Sequence, residues 1–266
     1  MDLKINRHRI KIIYWFLCRP ALYKQFCREF LSFMKRKKHP SLDKSEKAQN
    51  WCKIRAITVE EALNKICSDH EFEDIGIKYS SELAIAMKTI QSKNFNWGGQ
   101  GNISLNYNIA NMLKASSILE TGVAYGWSSL SFLLSLNERN IGQLTSIDMP
   151  FFGTNNEKDI GCIVPHHLRQ RWALLRMADK DAIPKVFRKT HSIDLCHYDS
   201  DKSYNGKMWT LPRLWVHLRS GGILVCDDVS DNLAFKDFSE QINVEPIVIN
   251  TYDTQVLKHV GVLIKP

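Results

Sequence analysis

Two acidic clusters in the sequence have the composition of a catalytic or metal-binding site. In the stretch HYDSDKSYNG, residues 197–206, Asp199 and Lys202 directly follow an apolar run. The pair Asp227–Asp228 ends a second apolar run, GGILVCDDV. Carboxylate oxygens are the ligands that a hard divalent cation such as Mg²⁺ prefers, and a lysine beside such a cation can act as a base. Taken alone, residues 197–206 allow three interpretations: a solvated turn, a metal site, or a catalytic base next to a metal.

A glycine-containing loop, ETGVAYGWSS, follows an earlier apolar run. Its glycines allow a tight turn and a close approach of a ligand to the backbone, and the next helix offers free N–H groups. The spacing G-x-x-x-G is neither the dinucleotide fingerprint nor a phosphate-binding loop. The glutamate would repel a pyrophosphate but suits an amino group or a sulfonium. The loop therefore predicts S-adenosylmethionine as the cofactor, with contacts at Glu120, Gly122, Ala124, Gly126 and Ser128.

Two further acidic residues follow apolar runs and are candidates for the nucleoside half of the cofactor. Asp148 ends the run QLTSIDM, where a carboxylate can accept both hydroxyls of a ribose. The alternative for this residue is a turn or a helix cap. Asp179 follows the run ALLRM and is the candidate for the adenine edge.

The elements that would position these residues alternate regularly. From residue 116 the chain reads as five strand–helix units, which predicts a parallel, doubly wound α/β sheet. Two strand-like runs at the end have no room for a helix between them, so the last strand is antiparallel. The predicted sheet has seven strands. We expect residues 57–115 to form a helical cap and residues 116–266 the core sheet, together one domain spanning 57–266.

Strand topology brings the acidic clusters together. Ligands of open α/β sheets bind at the carboxyl ends of the strands. The fourth and fifth strands are neighbours in a doubly wound sheet, so Asp199, Asp227 and Asp228 are expected to converge at one tip. Three carboxylates that close would repel one another without a cation. This gives a physical reason to predict a bound metal.

The positive charge of the chain is concentrated at the N-terminus. Residues 1–56 hold 15 Lys and Arg against four Asp and Glu, a net charge of +11 in a chain whose total is +8. Residues 7–38 contain two helix-compatible runs separated by Pro20, with aromatic residues at helical spacing. A basic, aromatic, amphipathic helix predicts contact with a membrane surface. Packing on the protein itself is the main alternative, and nucleic acid is not expected because no recognition motif is present.

The remaining features bear on location. Seven widely scattered cysteines without a C-x-x-C pair suit reduced thiols in the cytoplasm. No run resembles a transmembrane helix or a signal peptide. We therefore expect a cytoplasmic protein, peripheral at the inner face of the membrane if the basic segment binds there. The sequence also allows a homo-oligomer.

Four motifs together resemble the class I S-adenosylmethionine-dependent methyltransferases, which have a Rossmann-like fold. They are ILETGVAYGWSS, TSIDM, IDLCHYDSDKSYNG and LRSGGILVCDDV. The paired motifs D-x-D-K-x-x-Y and G-G-x-x-x-x-D-D are similar to the cation-dependent catechol and caffeoyl-CoA O-methyltransferases. The motif E-T-G-x-x-x-G-x-S-S is similar to that of the macrocin-type sugar O-methyltransferases. The resemblance covers roughly residues 100–266.

The resemblance implies metal ligation by Asp199, Asp227 and Asp228, and it matches Lys202 to the catalytic lysine of the catechol-type enzymes. Three positions depart from the patterns. Asp228 stands where the catechol-type enzymes have asparagine, Lys202 stands where the sugar enzymes usually have histidine, and Asp179 is displaced by about one position.

The prediction is a metal-dependent O-methyltransferase that uses Mg²⁺ or another divalent cation and acts on a hydroxyl of a small molecule or saccharide, with a preference for glycans. Asp199 and Lys202 are its predicted catalytic residues. Two alternatives stay open: a metal-independent N- or O-methyltransferase of the same fold, and a non-catalytic subunit that binds S-adenosylmethionine or a membrane. The long loop 150–161 is a candidate lid.

Overall fold

A computed structural model of the protein describes residues 7–35, 46–69, 71–149, 151–253 and 256–266. Residues 36–38 of the predicted membrane-binding segment and residue 150 of the predicted lid lie outside this description. No helix within the described ranges is long and apolar enough to cross a membrane.

In the described residues the sheet has eight strands, in the order β1-β7-β8-β6-β5-β2-β3-β4. The strands are β1 (Ala56–Ile57), β2 (Ser117–Thr121), β3 (Gln143–Ile147), β4 (Trp172–Leu175), β5 (Ile193–Tyr198), β6 (Leu218–Cys226), β7 (Ile247–Asp253) and β8 (Val256–Ile264). Strand β8 pairs antiparallel with both β6 and β7, and the other pairings are parallel. The doubly wound α/β sheet with an antiparallel last strand is confirmed, and the seven predicted strands are joined by an eighth, β1.

The register of the three central strands determines where the functional residues emerge. Thr121 of β2 lies opposite Tyr198 of β5, which lies opposite Cys226 of β6. Because these strands are parallel and end at the same level, the residues that follow them leave the sheet side by side. The glycine loop and both acidic clusters therefore meet at one edge.

Helices cover both faces of the sheet. They are α1 (Arg7–Leu17), α2 (Tyr23–Lys35), α3 (Glu46–Arg55), α4 (Val59–Ile66), α5 (Ile75–Lys78), α6 (Ser80–Gln91), α7 (Ile103–Met112), α8 (Trp127–Glu138), α9 (Asp179–Phe187), α10 (Tyr204–His217) and α11 (Ala234–Gln241). Short 3-10 helices span Pro20–Leu22, Asn156–Asp159 and His166–Arg171. The helix α4 begins with the predicted capping box, in which Thr58 and Glu61 bond each other's backbone amides.

Two apolar clusters fill the space between the sheet and its helices. Successive strand residues point to opposite faces, so Ile118 and Val225 join one cluster while Leu119 and Leu224 join the other. The first cluster packs under helices α4 to α8, and the second under α3, α9, α10 and α11. The sheet is therefore buried on both faces, as its near-continuous apolar strand sequences require.

The domain boundary predicted between residues 56 and 57 falls inside a strand. Ala56 pairs with Val248 of β7, and Cys52 of α3 is fully buried in the second apolar cluster. Helix α3 and strand β1 are thus packed into the sheet domain, which begins no later than residue 46. A two-residue strand has too short a pattern to be recognised from sequence, because its pairing depends on β7.

Candidate active site

The loop between β2 and α8 holds its shape through two glycines. Gly122 has a φ of 83°, and a Cβ at this position would lie 2.3 Å from the carbonyl oxygen of Asp199. Gly126, with a φ of 100°, is the N-cap residue of α8. Both glycines adopt the turn conformation that the sequence predicts. The absence of a side chain at Gly122 also lets the backbone of Asp199 lie directly against the loop.

The Glu120 carboxylate is held by serine hydroxyls of other elements. The side chain is fully buried and accepts hydrogen bonds of 2.5 Å from three serine hydroxyls, those of Ser128, Ser129 and Ser146. Burial raises the pKa of Glu120, while the serines oppose that effect. Glu120 does not line the cavity described below, and its predicted contact with a ligand's amino group stays a prediction. Glu120 ties α8 and β3 to the strand that precedes the loop.

The Asp148 carboxylate supports the glycine loop from behind. Its Oδ2 accepts hydrogen bonds from the amides of Val123 at 2.8 Å and Ala124 at 3.1 Å. Its Oδ1 is buried and has no hydrogen-bond partner in the structure, and burial raises the pKa of the group. One oxygen is therefore committed to the loop, and the other is the atom left for the ribose contact predicted at this position.

Asp179 lies beside the strand end that carries Asp199. It is the first residue of α9, and its carboxylate accepts a hydrogen bond from the hydroxyl of Ser200. Burial raises the pKa of Asp179 to about 6. The predicted contact with the adenine edge has no direct support in this geometry and stays a prediction.

Asp199, Asp227 and Asp228 meet at the carboxyl ends of β5 and β6, as the strand order predicts. The Asp199 amide donates to Thr121 of β2 at 2.8 Å, and the Asp227 amide donates to Tyr198 of β5 at 2.9 Å. The buried ammonium of Lys207 fixes the backbone of Asp227 and Asp228, because it donates hydrogen bonds to both of their carbonyl oxygens.

Lys202 bridges two of the three carboxylates. Its ammonium hydrogen-bonds Asp228 and lies 3.4 Å from Oδ1 of Asp199, and Lys258 approaches Asp228 at 3.5 Å from the other side. Burial lowers the pKa of Lys202, but the charges of Asp199 and Asp228 outweigh it and raise the pKa above its ordinary value. In this arrangement the two carboxylates hold Lys202 as an ammonium ion, and its predicted role as a base beside a cation stays a prediction.

The negative charges of Asp227 and Asp199 are not fully balanced by the neighbouring ammonium groups. Burial raises the pKa of Asp227 well above its ordinary value, and the charges of Asp199 and Asp228 raise it further. Burial also raises the pKa of Asp199, although Lys202 opposes this. Oδ1 of Asp199 and Oδ1 of Asp227 are buried without a hydrogen-bond donor. His197 lies beneath them, with Nε2 3.8 Å from Oδ2 of Asp227.

A cavity opens between the glycine loop and the residues that precede α7. Its lining includes Gly122 and Ser128 on one side and Asp199 and Asp227 at one end. The opposite wall comes from residues 97–106. Asp148 and Asp179 do not line this cavity. The acidic tip therefore faces the same space as the glycine loop, as an acceptor site next to a cofactor site would require.

Comparison with known proteins agrees with this architecture. Residues 119–229, which run from β2 past the Asp227–Asp228 pair, match the family model of a methyltransferase domain. This match supports the resemblance to class I S-adenosylmethionine-dependent methyltransferases over these residues. No curated protein matches the sequence.

Solved methyltransferase structures share the fold. An O-methyltransferase from Bacillus cereus in complex with SAH superposes with a TM-score of 0.57 at 13% identity, covering 80% of this chain and 100% of that one. The O-methyltransferase TomG from Streptomyces achromogenes, in complex with SAM, has a TM-score of 0.51 at 17% identity, covering 77% of this chain and 96% of that one. At such identities the similarity shows the fold alone.

The chemistry of the acidic tip suits a divalent cation, although its present geometry is not that of a ligand shell. The donor set is three carboxylates, and two of their buried oxygens lack a donor. Within the described ranges, however, no three His, Cys, Asp or Glu side chains are grouped closely enough to hold a metal ion. In this structure the Lys202 ammonium lies between Asp199 and Asp228.

Sequence reasoning missed one wall of the cavity. Trp97, Gln100 and Asn102 precede α7, and Asn106 lies within it. Oδ1 of the buried Asn106 and Nε1 of the buried Trp127 have no hydrogen-bond partner in the structure. The signal available was the stretch NFNWGGQGN, whose glycines, amides and tryptophan are typical of a shaped loop rather than a helix.

Proposed function

We propose that this methyltransferase transfers the methyl group of S-adenosylmethionine to a hydroxyl of a polyhydroxylated small molecule, with saccharides as the preferred class, and that Asp199, Asp227 and Asp228 hold a divalent cation. The observation that carries the proposal is that Asp199 and Asp227 line the cavity beside the glycine loop, with Asp228 linked to Asp199 through Lys202. Oδ1 of Asp227 is buried without a hydrogen-bond donor, and Oδ1 of Asp199 has only the Lys202 ammonium 3.4 Å away, so both oxygens can accept a cationic or hydrogen-bond-donating ligand.

The chain's own residues supply positioning and proton transfer. Methyl transfer forms a carbon–oxygen bond and breaks the carbon–sulfur bond, and the acceptor hydroxyl loses its proton. A cation held by Asp199 and Asp228 would oppose the charges that now raise the pKa of Lys202, so that Lys202 could accept this proton. A bound divalent cation would lower the pKa of the acceptor hydroxyl.

The wall formed by residues 97–106 supports a saccharide or another polyol as the acceptor. Amide side chains both donate and accept hydrogen bonds, which is what a run of hydroxyls requires. Gln100, Asn102 and Asn106 provide three such groups, and Trp97 adds an aromatic surface. Gln100→Ala is expected to raise KM for the acceptor several-fold while leaving the affinity for S-adenosylmethionine unchanged.

The test is methyl transfer from labelled S-adenosylmethionine to a panel of saccharides and catechols, with Mg²⁺ or with chelator. Loss of activity in chelator, its recovery with Mg²⁺, and its loss in Asp227→Asn would support the proposal. Glu240→Gln, at a carboxylate that is 62% exposed on a surface helix, is the matched control. Failure of the wild-type chain to bind S-adenosylmethionine in calorimetry would overturn it. Binding without transfer to any acceptor would favour the non-catalytic alternative.

A metal-independent reaction is the second candidate, and one contact favours it. The Lys202 ammonium already lies between Asp199 and Asp228 and offsets part of their charge, as a cation would. On this alternative, activity survives the chelator and Lys202→Met abolishes it. Under the metal-dependent proposal, Lys202→Met retains a chelator-sensitive activity. The same assay therefore separates the two candidates.

A further inference from the structure

Helix α1 packs on the methyltransferase domain through one face only. Trp15 and Phe16 are buried there, and Nε1 of Trp15 donates to the carbonyl of Thr154 at 2.5 Å. Arg19, just after the helix, pairs with Glu157 at 2.7 Å. This inner face therefore lies against the loop that follows β3, on the side of the sheet where Asp148 supports the glycine loop.

The opposite face of α1 is also apolar, and none of the described residues covers it. Ile10, Ile13, Tyr14 and Leu17 recur at helical spacing, and they are between 40% and 68% exposed. They lie on the opposite side of the helix from Trp15 and Phe16. A helix that is apolar on both sides is usually covered on both sides. The outer face of α1 is therefore available to an occupant other than the described residues.

Helix α2 extends the same exposed surface. The hydroxyl of Tyr23 donates to the carbonyl of Leu17 at 2.9 Å, which joins the start of α2 to the end of α1. Phe30 and Leu31 are 55% and 54% exposed, and Lys24 is exposed nearby in sequence. Arg28 anchors the inner side of α2 by an ion pair with Asp181 of α9. Helices α1 and α2 are thus bonded to the domain on their inner side, and their outer side exposes apolar residues.

We propose that the outer face of α1, continued by α2, docks on an anionic lipid bilayer. Charge complementarity selects this occupant, because residues 1–56 carry a net charge of +11 while the rest of the chain carries −3. Exposed apolar side chains on a basic segment are the combination that binds at the boundary between anionic headgroups and acyl chains. A second copy of the chain would bring a like charge against this surface.

The test uses the full chain and sedimentation with vesicles of equimolar phosphatidylcholine and phosphatidylglycerol. The variant I10S/Y14S/L17S removes the outer apolar face without touching the buried residues Trp15 and Phe16. The partition coefficient for these vesicles is expected to fall at least tenfold, and vesicles of phosphatidylcholine alone are expected to bind the wild-type chain more weakly. An unchanged urea midpoint and unchanged calorimetric affinity for S-adenosylhomocysteine would show that the variant is folded.

The matched control is I54S/I77S/V216S, which changes three apolar residues that are 70% to 81% exposed on α3, α5 and α10. Its vesicle binding should equal that of the wild-type chain. Absence of wild-type binding to the anionic vesicles, or equal binding by both triple variants, would overturn the proposal. So would sedimentation equilibrium that shows a wild-type dimer abolished by I10S/Y14S/L17S, because the face would then belong to a second copy.

Discussion

Replacement of Gly122 by alanine tests the claim that the glycine loop and the acidic tip form one rigid unit. The new Cβ would lie 2.3 Å from the carbonyl oxygen of Asp199 and 3.1 Å from the amide of Ser200, whereas ordinary contacts begin at 3.4 Å. The strand end that carries Asp199 would have to withdraw by about 1 Å. Because both neighbours are backbone atoms, no side-chain rotation can relieve the overlap.

Two costs determine the magnitude. A φ of 83° costs alanine about 1 to 2 kcal/mol relative to glycine. Overpacking against a fixed backbone costs about 1 to 3 kcal/mol more. We therefore expect Gly122→Ala to lower the free energy of unfolding by about 2 to 5 kcal/mol. Activity should fall about a hundredfold or more, because a displacement of this size at a reacting group is enough to do so.

Gly153→Ala is the matched control for Gly122→Ala. Gly153 has a φ of 73°, but its Cβ would meet only Ile12 Cγ1 at 3.5 Å, an ordinary contact. It should cost about 1 to 2 kcal/mol from the backbone alone and leave activity unchanged. Urea unfolding and calorimetric titration with S-adenosylhomocysteine measure both variants. If Gly122→Ala unfolds at the same urea concentration as Gly153→Ala and binds the ligand as tightly as the wild-type chain, the rigid-unit argument is wrong.

Three further predictions follow from buried polar and aromatic groups. Glu120→Gln should lower the free energy of unfolding by about 1 to 3 kcal/mol, since an amide cannot accept hydrogen bonds from all three serines, and an unchanged urea midpoint would contradict this. The pKa of Asp179 is raised from 3.8 to about 6, so the folded state holds that proton more tightly than the unfolded state and loses up to about 3 kcal/mol of stability as pH rises from about 4 to 6. Asp179→Asn should remove this decline and be more stable than the wild-type chain at pH 7. Urea unfolding at several pH values measures this, and an equal dependence of stability on pH in the two proteins would refute it. Trp15→Ala should release α1 and speed limited proteolysis of residues 7–35 at least tenfold, and equal cleavage rates would show that Trp15 does not hold the helix.

Much of the fold and part of the site could be predicted from the sequence, because both follow local rules. Alternating apolar runs and helices dictate a doubly wound sheet, and two glycines after a strand dictate a loop that approaches other backbone. The convergence of Asp199 with Asp227 and Asp228 needed only the rule that the fourth and fifth predicted strands are neighbours. These strands are β5 and β6 of the structure. These features depend on residue type and order along the chain, which the sequence contains in full.

Only the tertiary structure decided how the polar groups are paired. Glu120 was expected at a ligand, and the fold places its carboxylate among three serines from other elements. Lys202 was expected beside Asp199, and only the fold showed that Asp228 also lies against it, so that both carboxylates raise its pKa. Protonation depends on distances between residues far apart in sequence, and these distances exist only after the chain has packed.

The walls around the site show the same division. The sequence by itself determined that the N-terminal segment is basic and apolar, but only the fold showed that one side of α1 packs on the domain while the other is exposed. The wall from Trp97 to Asn106 and the strand β1 were likewise decided by contacts with distant elements. The physical reason is that local patterns specify which surfaces are apolar or polar, whereas the partner of each surface is set by the geometry of the whole sheet.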